Sequence, residues 1–225
     1  NLNQQMIIKQ NKEYKEISQN DNSKIRKIIK NLFDFLKTKV DFLNELDQKV
    51  GDGDIGSGVL NAINNSTNKK ECLNFELEFK NSLIKFANLI CEGFGGTSGP
   101  LYMSLIIGGI NSLNDKENEN STTNYVNALL EGTKSIQKVG GAEIGDRTMV
   151  DYLLPMSEYF LKNLNNINGA FNEKRNLLLE NAKNLRAKRG RSSYLLGREV
   201  GFAEPGCVLA DLWIEFAINE TENIN

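Results

Sequence analysis

The 225-residue chain contains no histidine. That absence removes the usual general base, the phosphoryl-carrying imidazole and the commonest metal ligand together. Ser/His/Asp hydrolysis, phosphohistidine relays and zinc sites are therefore excluded, and any chemistry must run on carboxylates, hydroxyls, backbone amides, arginine and bound metal. Cysteine is sparse: Cys72, Cys91 and Cys207 are odd in number and scattered, with neither zinc spacing nor a disulfide framework. They read as reduced thiols of a cytosolic protein. No apolar run approaches the ~18 residues of a membrane helix. The nearest, 101–110, holds Ser104 and two glycines and reads as a buried helix. No secretory leader is expected from residues 1–22, which are polar and Asn/Lys-rich; the chain begins with Asn rather than Met, which leaves room for residues upstream. With 27 basic against 29 acidic residues the net charge is −2, so neither nucleic acid nor an anionic membrane is expected as a partner.

Composition is otherwise ordinary, 40% apolar and 25% charged, and the length fits one domain with a real core. No window alternates with period two, whereas apolar residues recur at three- and four-residue intervals throughout. Ile25, Ile28, Ile29, Leu32, Leu36, Val40, Leu43 and Leu46 predict one long helix over 23–46. A second is expected to start at Ser57, whose hydroxyl can cap it, and to run to about Asn64 before a polar linker. Phe79, Leu83, Phe86, Ala87 and Ile90 mark a third, and a fourth opens with Pro100 at its first position. After a solvated loop at 115–123, Tyr125, Leu129 and Ile136 mark the fifth. Met149, Leu153, Met156, Phe160 and Leu164 mark the sixth, following Asp146. The seventh covers about 170–188 with Leu178, Ala182 and Leu185 inward. The eighth follows Pro205 and Gly206 and carries Leu209, Leu212, Trp213 and Phe216. The expectation is an all-α, eight-helix antiparallel up-and-down barrel or bundle. Residues 1–22 are a flexible start, 23–219 the domain and 220–225 a tail. The turns after helices one, three, five and seven (51–58, 93–99, 140–145 and 202–206) should then share one end.

Residues 46–58, Leu-Asp-Gln-Lys-Val-Gly-Asp-Gly-Asp-Ile-Gly-Ser-Gly, carry the strongest functional signal. Asp47, Asp52 and Asp54 are too close to ionise together cheaply unless a cation sits among them. Oxygen-only ligands on a tight turn suit Mg²⁺, which favours carboxylates, phosphate oxygens and water. Gly51-x-Gly53-x-x-Gly56 matches a dinucleotide fingerprint, but it follows a helix instead of a strand. A kinase Gly-rich loop lacks its companion motifs, and an EF-hand starting at Asp52 would need ligands where Gly56 and Ile63 stand. Gly95-Gly96-Thr97-Ser98-Gly99 at a helix start offers backbone N–H groups, two hydroxyls and a positive dipole end to an anion. The basic run 183–191 reads as the polar end of a helix with Arg191 as a bidentate phosphate clamp. Arg147 reads as structural, pairing with Asp146 or Asp151.

Four segments together carry a resemblance. Leu-Asp-x₃-Gly-Asp-Gly-Asp-x-Gly, Gly-Gly-Thr-Ser-Gly-Pro-Leu-Tyr, Gly-Asp-Arg-Thr-Met-Val-Asp and Gly-Arg-Ser-Ser-Tyr-Leu…Glu-Pro-Gly, in order over about 40–218, resemble the nucleotide-binding (L-type) domain of dihydroxyacetone kinases. The resemblance implies an eight-helix antiparallel barrel enclosing a lipid-sized space. It also implies that Asp47, Asp52 and Asp54 hold two Mg²⁺ ions against the phosphates of ADP or ATP. Ile55, Gly56, Ser57 and Gly58 match a phosphate-contacting turn, and Thr97 and Ser98 the phosphate-binding helix start. Gly140 and Met149 fall where the family lines the adenine pocket, and Arg191 matches the arginine near the transferred phosphoryl group. Glu204, Pro205 and Gly206 match a turn beside the nucleotide. Two positions depart from the pattern: Ile55 stands where the family has His, Thr or Cys, and Phe202-Ala203-Glu204 replaces His-x-Asp.

The family holds its ketone through a histidine on a separate K-type subunit or domain. The resemblance thus implies a cytoplasmic phosphotransferase component, inactive alone, acting with that partner as a homodimer or hetero-oligomer. In the phosphotransferase-system version a further protein recharges bound ADP. In the ATP-dependent glycerone kinases this domain is C-terminal to the K domain and exchanges nucleotide. A related ketose kinase or a fatty-acid kinase nucleotide domain, and a regulator docking on a transcription factor, are the competing readings.

Overall fold

The computed structural model describes residues 19–68, 79–113 and 122–222. The expected flexible start up to residue 18, most of the linker after Asn64, most of the 115–123 loop, Cys72 and the last three residues lie outside them. The described residues hold nine α-helices and one short 3₁₀ turn joined by turns and loops, with no strand among them. They are α1 Gln19–Lys37, α2 Val40–Gln48, α3 Ile55–Asn68, α4 Phe79–Phe94, α5 Ser98–Ser112, α6 Thr122–Gly140, α7 Val150–Lys162, α8 Phe171–Asn184 and α9 Pro205–Glu222, with the 3₁₀ turn at Arg191–Leu195.

The long first helix of the sequence reading is thus two. At Thr38 the hydroxyl donates to the Phe35 carbonyl (2.7 Å), and the N–H groups of Thr38 and Lys39 bond to Phe35 and Leu36, tightening the last turn. The apolar rhythm continues into α2, where Leu43 is fully buried, so the break leaves no trace in periodicity. Other boundaries move for local reasons. Helix α3 starts at Ile55 and reaches Asn68, Pro100 is the third residue of α5, and α8 stops at Asn184. Tyr125, expected inward, is 52% exposed, and Val126 beside it is buried instead. Leu164 lies past the end of α7.

From α2 to α8 each consecutive pair of helices packs together, and α9 closes the arrangement by packing on α7 and α8 as well as α1 and α2. Helix α7 is covered nearly all round: Val150, Tyr152, Leu153, Met156 and Phe160 are all in the core. Small residues let the helices approach closely. A Cβ on Gly93 would stand 2.2 Å from the Ala62 Cα of α3, and one on Gly132 would stand 2.3 Å from the Leu105 carbonyl oxygen of α5. Phe94 stacks on Tyr102 (4.8 Å between centroids), which meets Trp213 of α9 at 5.3 Å. The apolar cavity among Leu32, Phe86, Phe94 and Trp213 measures about 10 Å³, no more than a water's worth. No lipid-sized space opens there; side chains fill it.

Candidate active site

The Asp turn is built by α2. After Gln48 the chain folds back, with the Val50 and Gly51 N–H groups donating to the Asp47 carbonyl (3.0 and 2.6 Å), and the buried Val50 pins the turn to the core. Gly53 sits at φ +80°, a conformation that other residues adopt only with strain. A Cβ on Gly56 would stand 2.1 Å from the Val40 carbonyl oxygen, so only glycine lets α3 start against α2.

That start is capped from outside the helix. Asp47 Oδ2 accepts from the Asp54 and Ile55 N–H groups (2.9 and 3.3 Å). Asn44 Oδ1 accepts from the Ser57 N–H (3.0 Å), while its Nδ2 donates to the Ser57 hydroxyl (3.2 Å). Ser57 is therefore a capped residue and not the cap expected of it, because the helix begins two residues earlier. Asn44 was missed: a polar residue late in a helical pattern gives no sign of serving the next helix. The first-turn donors of α3 at 54, 55, 57 and 58 are engaged by Asp47, Asn44 and the Asp54 carbonyl.

Asp47, Asp52 and Asp54 each contribute one carboxylate oxygen to a group whose atoms all lie within 4.8 Å of one another. Asp47 is half-buried and the other two are exposed. Asp54 titrates above the ordinary carboxylate range, chiefly because burial penalises its charge and secondly because Asp47 repels it. The guanidinium of Arg191 lies directly against Asp52 and 3.4 Å from Asp54. The next residue anchors it, the Ser192 hydroxyl donating to the Val50 carbonyl (2.8 Å). An all-oxygen donor set of three crowded carboxylates, drawing in an arginine as counter-charge, fits a hard divalent cation. On the outer flank of α2 a concavity of about 350 Å³, lined by Asp41, Asn44, Glu45, Gln48, Asp52 and Gly53, borders the same turn.

Of the other turns, 93–99 lies beside the Asp turn, and the segments around 147 and 202–207 are bonded to each other. Phe94 lies against Gly58, its Cδ1 3.1 Å from where a Cβ on Gly58 would stand, setting the 93–99 turn beside the Asp turn. Gly95 and Gly96 are consecutive left-handed residues (φ +63° and +52°) with nothing within 4 Å of either missing Cβ. Thr97 precedes α5 without capping it through its side chain, and is exposed; Ser98 is half-buried. Gly140 ends α6 against Leu101. Asp146 accepts from the Glu143 N–H, Lys188 and Arg189 (3.1, 3.1 and 3.4 Å). The Glu143 bond first, then the two cations, hold it below its usual range.

Arg147 departs from its expected pairing. It is buried, at φ +59°, and its Nη2 donates to the Phe202 carbonyl (3.0 Å), while Asp151 accepts from the Gly145 and Thr148 N–H groups. Met149 is in the core. The Glu204 carboxylate turns to the N–H groups of Gly206 and Cys207 at the start of α9, and burial raises its pKa. Cys207 Sγ–H in turn reaches the Thr148 carbonyl (3.1 Å). Pro205 and Gly206 are buried.

The family model of the DAK2 domain matches residues 49–219. The chain belongs to this family. Asp47 falls just outside that match, although it shares the carboxylate group. Among DAK2 relatives, the ADP-binding subunit DhaL of the PTS-dependent dihydroxyacetone kinase of Lactococcus lactis is 30% identical over 165 residues, covering 73% of this chain and 80% of that one. A probable dihydroxyacetone kinase of Dictyostelium discoideum is 30% identical over 188 residues, and an L-erythrulose 1-kinase of Mycolicibacterium smegmatis 28% over 173. Of those two the chain spans only 28% and 30%. The crystal structure of the C. freundii dihydroxyacetone kinase with AMP-PNP and Mg²⁺ superposes with a TM-score of 0.66 at 24% identity. It covers 92% of this chain and 35% of that one, so the DAK2 fold is shared.

Proposed function

We propose that this DAK2 chain is the nucleotide-carrying component of a dihydroxyacetone kinase. It binds ADP or ATP with Mg²⁺ at the Asp-turn end and presents a phosphoryl group to dihydroxyacetone held on a separate K-type subunit or domain. The observation that carries the reading is the meeting of Asp47, Asp52 and Asp54 within 4.8 Å beside the double-glycine turn that opens α5. Relatives named as ADP-binding subunits, and a structural neighbour holding AMP-PNP and Mg²⁺, support it.

In this reading the three carboxylates hold two Mg²⁺ ions, which when bound neutralise phosphate charge and polarise the phosphoryl group. The α5 start at Thr97 and Ser98 receives phosphate on its dipole end, with Ile55, Gly56, Ser57 and Gly58 lining the facing turn. Gly140 and Met149 border the adenine, and the Glu204–Pro205–Gly206 turn borders the nucleotide. Arg191 bears on the transferred group. With no histidine to hold a ketone, the chain alone transfers nothing to dihydroxyacetone. A protein of the phosphotransferase system recharges the bound ADP, and the assembly is cytoplasmic. No helix among the described residues is long and apolar enough to cross a membrane.

Asp52→Asn or Asp54→Asn should abolish Mg²⁺-dependent nucleotide binding in calorimetry while the helical circular dichroism survives; unchanged binding ends the reading. The off-rate of nucleotide separates the two donor versions. ADP that stays through gel filtration marks a resident cofactor recharged in place, and rapid exchange with ATP marks the ATP-dependent kind.

A further inference from the structure

Arg191 occupies the oxygens that the proposed function gives to a divalent cation. Its guanidinium lies on Asp52 and within 3.4 Å of both Asp54 oxygens. Each lone pair turned to the guanidinium is one fewer for a hard cation, and the two positive charges repel across the same few ångströms. We propose that Arg191 is the built-in counter-ion of the Asp47–Asp52–Asp54 cluster, and that a divalent cation displaces it, so that cation loading and release of the guanidinium are one event. This rests on the reading of the cluster as a metal site and adds how that site is held before loading.

Three features of the chain support it. The Arg191 side chain is 53% exposed, so it leaves the cluster without opening the core. Gly190 precedes it at φ +65° with nothing within 4 Å of its missing Cβ, and Leu196 and Gly197 beyond the 3₁₀ turn are also left-handed; the short turn is thus bounded by pivots. Meanwhile Ser192 stays tied to Val50, which keeps the base of the arginine beside the cluster when its tip moves. Four neighbouring cations are engaged elsewhere: Lys188 and Arg189 on Asp146, Arg147 on the Phe202 carbonyl and Arg198 on the Leu195 carbonyl.

The test is a nucleotide-free titration with Mn²⁺, read as the loss of its free paramagnetic resonance signal, and with Mg²⁺ as competitor. Arg191→Ala should bind Mn²⁺ roughly fivefold or more tightly than the parent, because a competing charge and its ion pair are gone. Arg189→Ala, which removes a like charge from the same end without touching the cluster, should change affinity by less than about twofold. In the unaltered protein the side-chain ¹⁵N resonances of Arg191 should shift with added Mg²⁺ at the midpoint of cation binding. Equal or weaker Mn²⁺ affinity in Arg191→Ala, or an Arg191 resonance indifferent to saturating Mg²⁺, overturns the counter-ion role and leaves the metal site standing. Failure of parent and variants alike to bind Mn²⁺ overturns the metal reading and this inference with it.

Discussion

Two arginines of the same end show how differently one residue type can serve. Arg191 is half exposed and meets carboxylates, whereas Arg147 is buried in a left-handed backbone conformation and braces the Phe202 carbonyl. The sequence reading made Arg191 a candidate phosphate clamp by its side-chain chemistry and paired Arg147 with its neighbours Asp146 and Asp151. A positive φ turns the side chain away from both, and nothing in the local sequence announces a positive φ at arginine. On the proposed reading, Arg191→Ala should slow phosphoryl transfer by ~10²-fold while nucleotide stays bound, as for a group acting on developing charge; rapid-quench kinetics with a K-type partner supplied would check it. Glu204 yields a pH prediction. Its folded pKa is raised, so its charge opposes folding, and stability should rise as pH falls from neutral toward the unfolded value near 4.5. Asp146 and Glu199, both held low, sustain stability above that range and withdraw it only under more acid conditions. Glu204→Gln should therefore flatten the rise between pH 7 and 5 in thermal melts, while the acid collapse remains.

At the scale of the element, the connection from α2 to α3 is where most of the site is made. The carboxylate and glycine pattern was legible because chemistry and tight turns both leave residue-type signatures. The break at Thr38 was not, because a back-bonding threonine between two apolar faces changes no periodicity. Nor was the capping of α3, since Asp47 and Asn44 lie on the helix before it. Asn44→Ala should cost about 1 kcal/mol of stability, the usual worth of a lost cap, and weaken cation binding by loosening the start of α3. Denaturant titration and calorimetry check the two halves. Gly93→Ala should cost more, about 1–3 kcal/mol, because its methyl group would drive into the α3 backbone at Ala62.

Across the whole molecule, α9 closes the arrangement through a buried polar knot. Arg175 of α8 bonds Asp211 and Glu215 of α9 (2.8 Å each through Nε and Nη1), and Tyr152 of α7 donates to Asp211. Removing the cation leaves Asp211 buried and uncompensated, so Arg175→Met should destabilise by about 3 kcal/mol in chemical denaturation. The all-α architecture was readable because each apolar stripe repeats at helical spacing. Long-range closure was not, since Arg175 and Asp211 read as ordinary exposed helix residues until their helices meet.

Cys207 closes the link between the two turns at 148 and 204, with its thiol fully shielded between a carbonyl and a carboxylate. An alkylating reagent can reach that sulfur only in moments when those segments part, so in a variant whose other cysteines are replaced by serine its labelling becomes a clock for breathing of this pole. Slower ticking once ADP and Mg²⁺ are added would time how firmly cargo zips that pole shut.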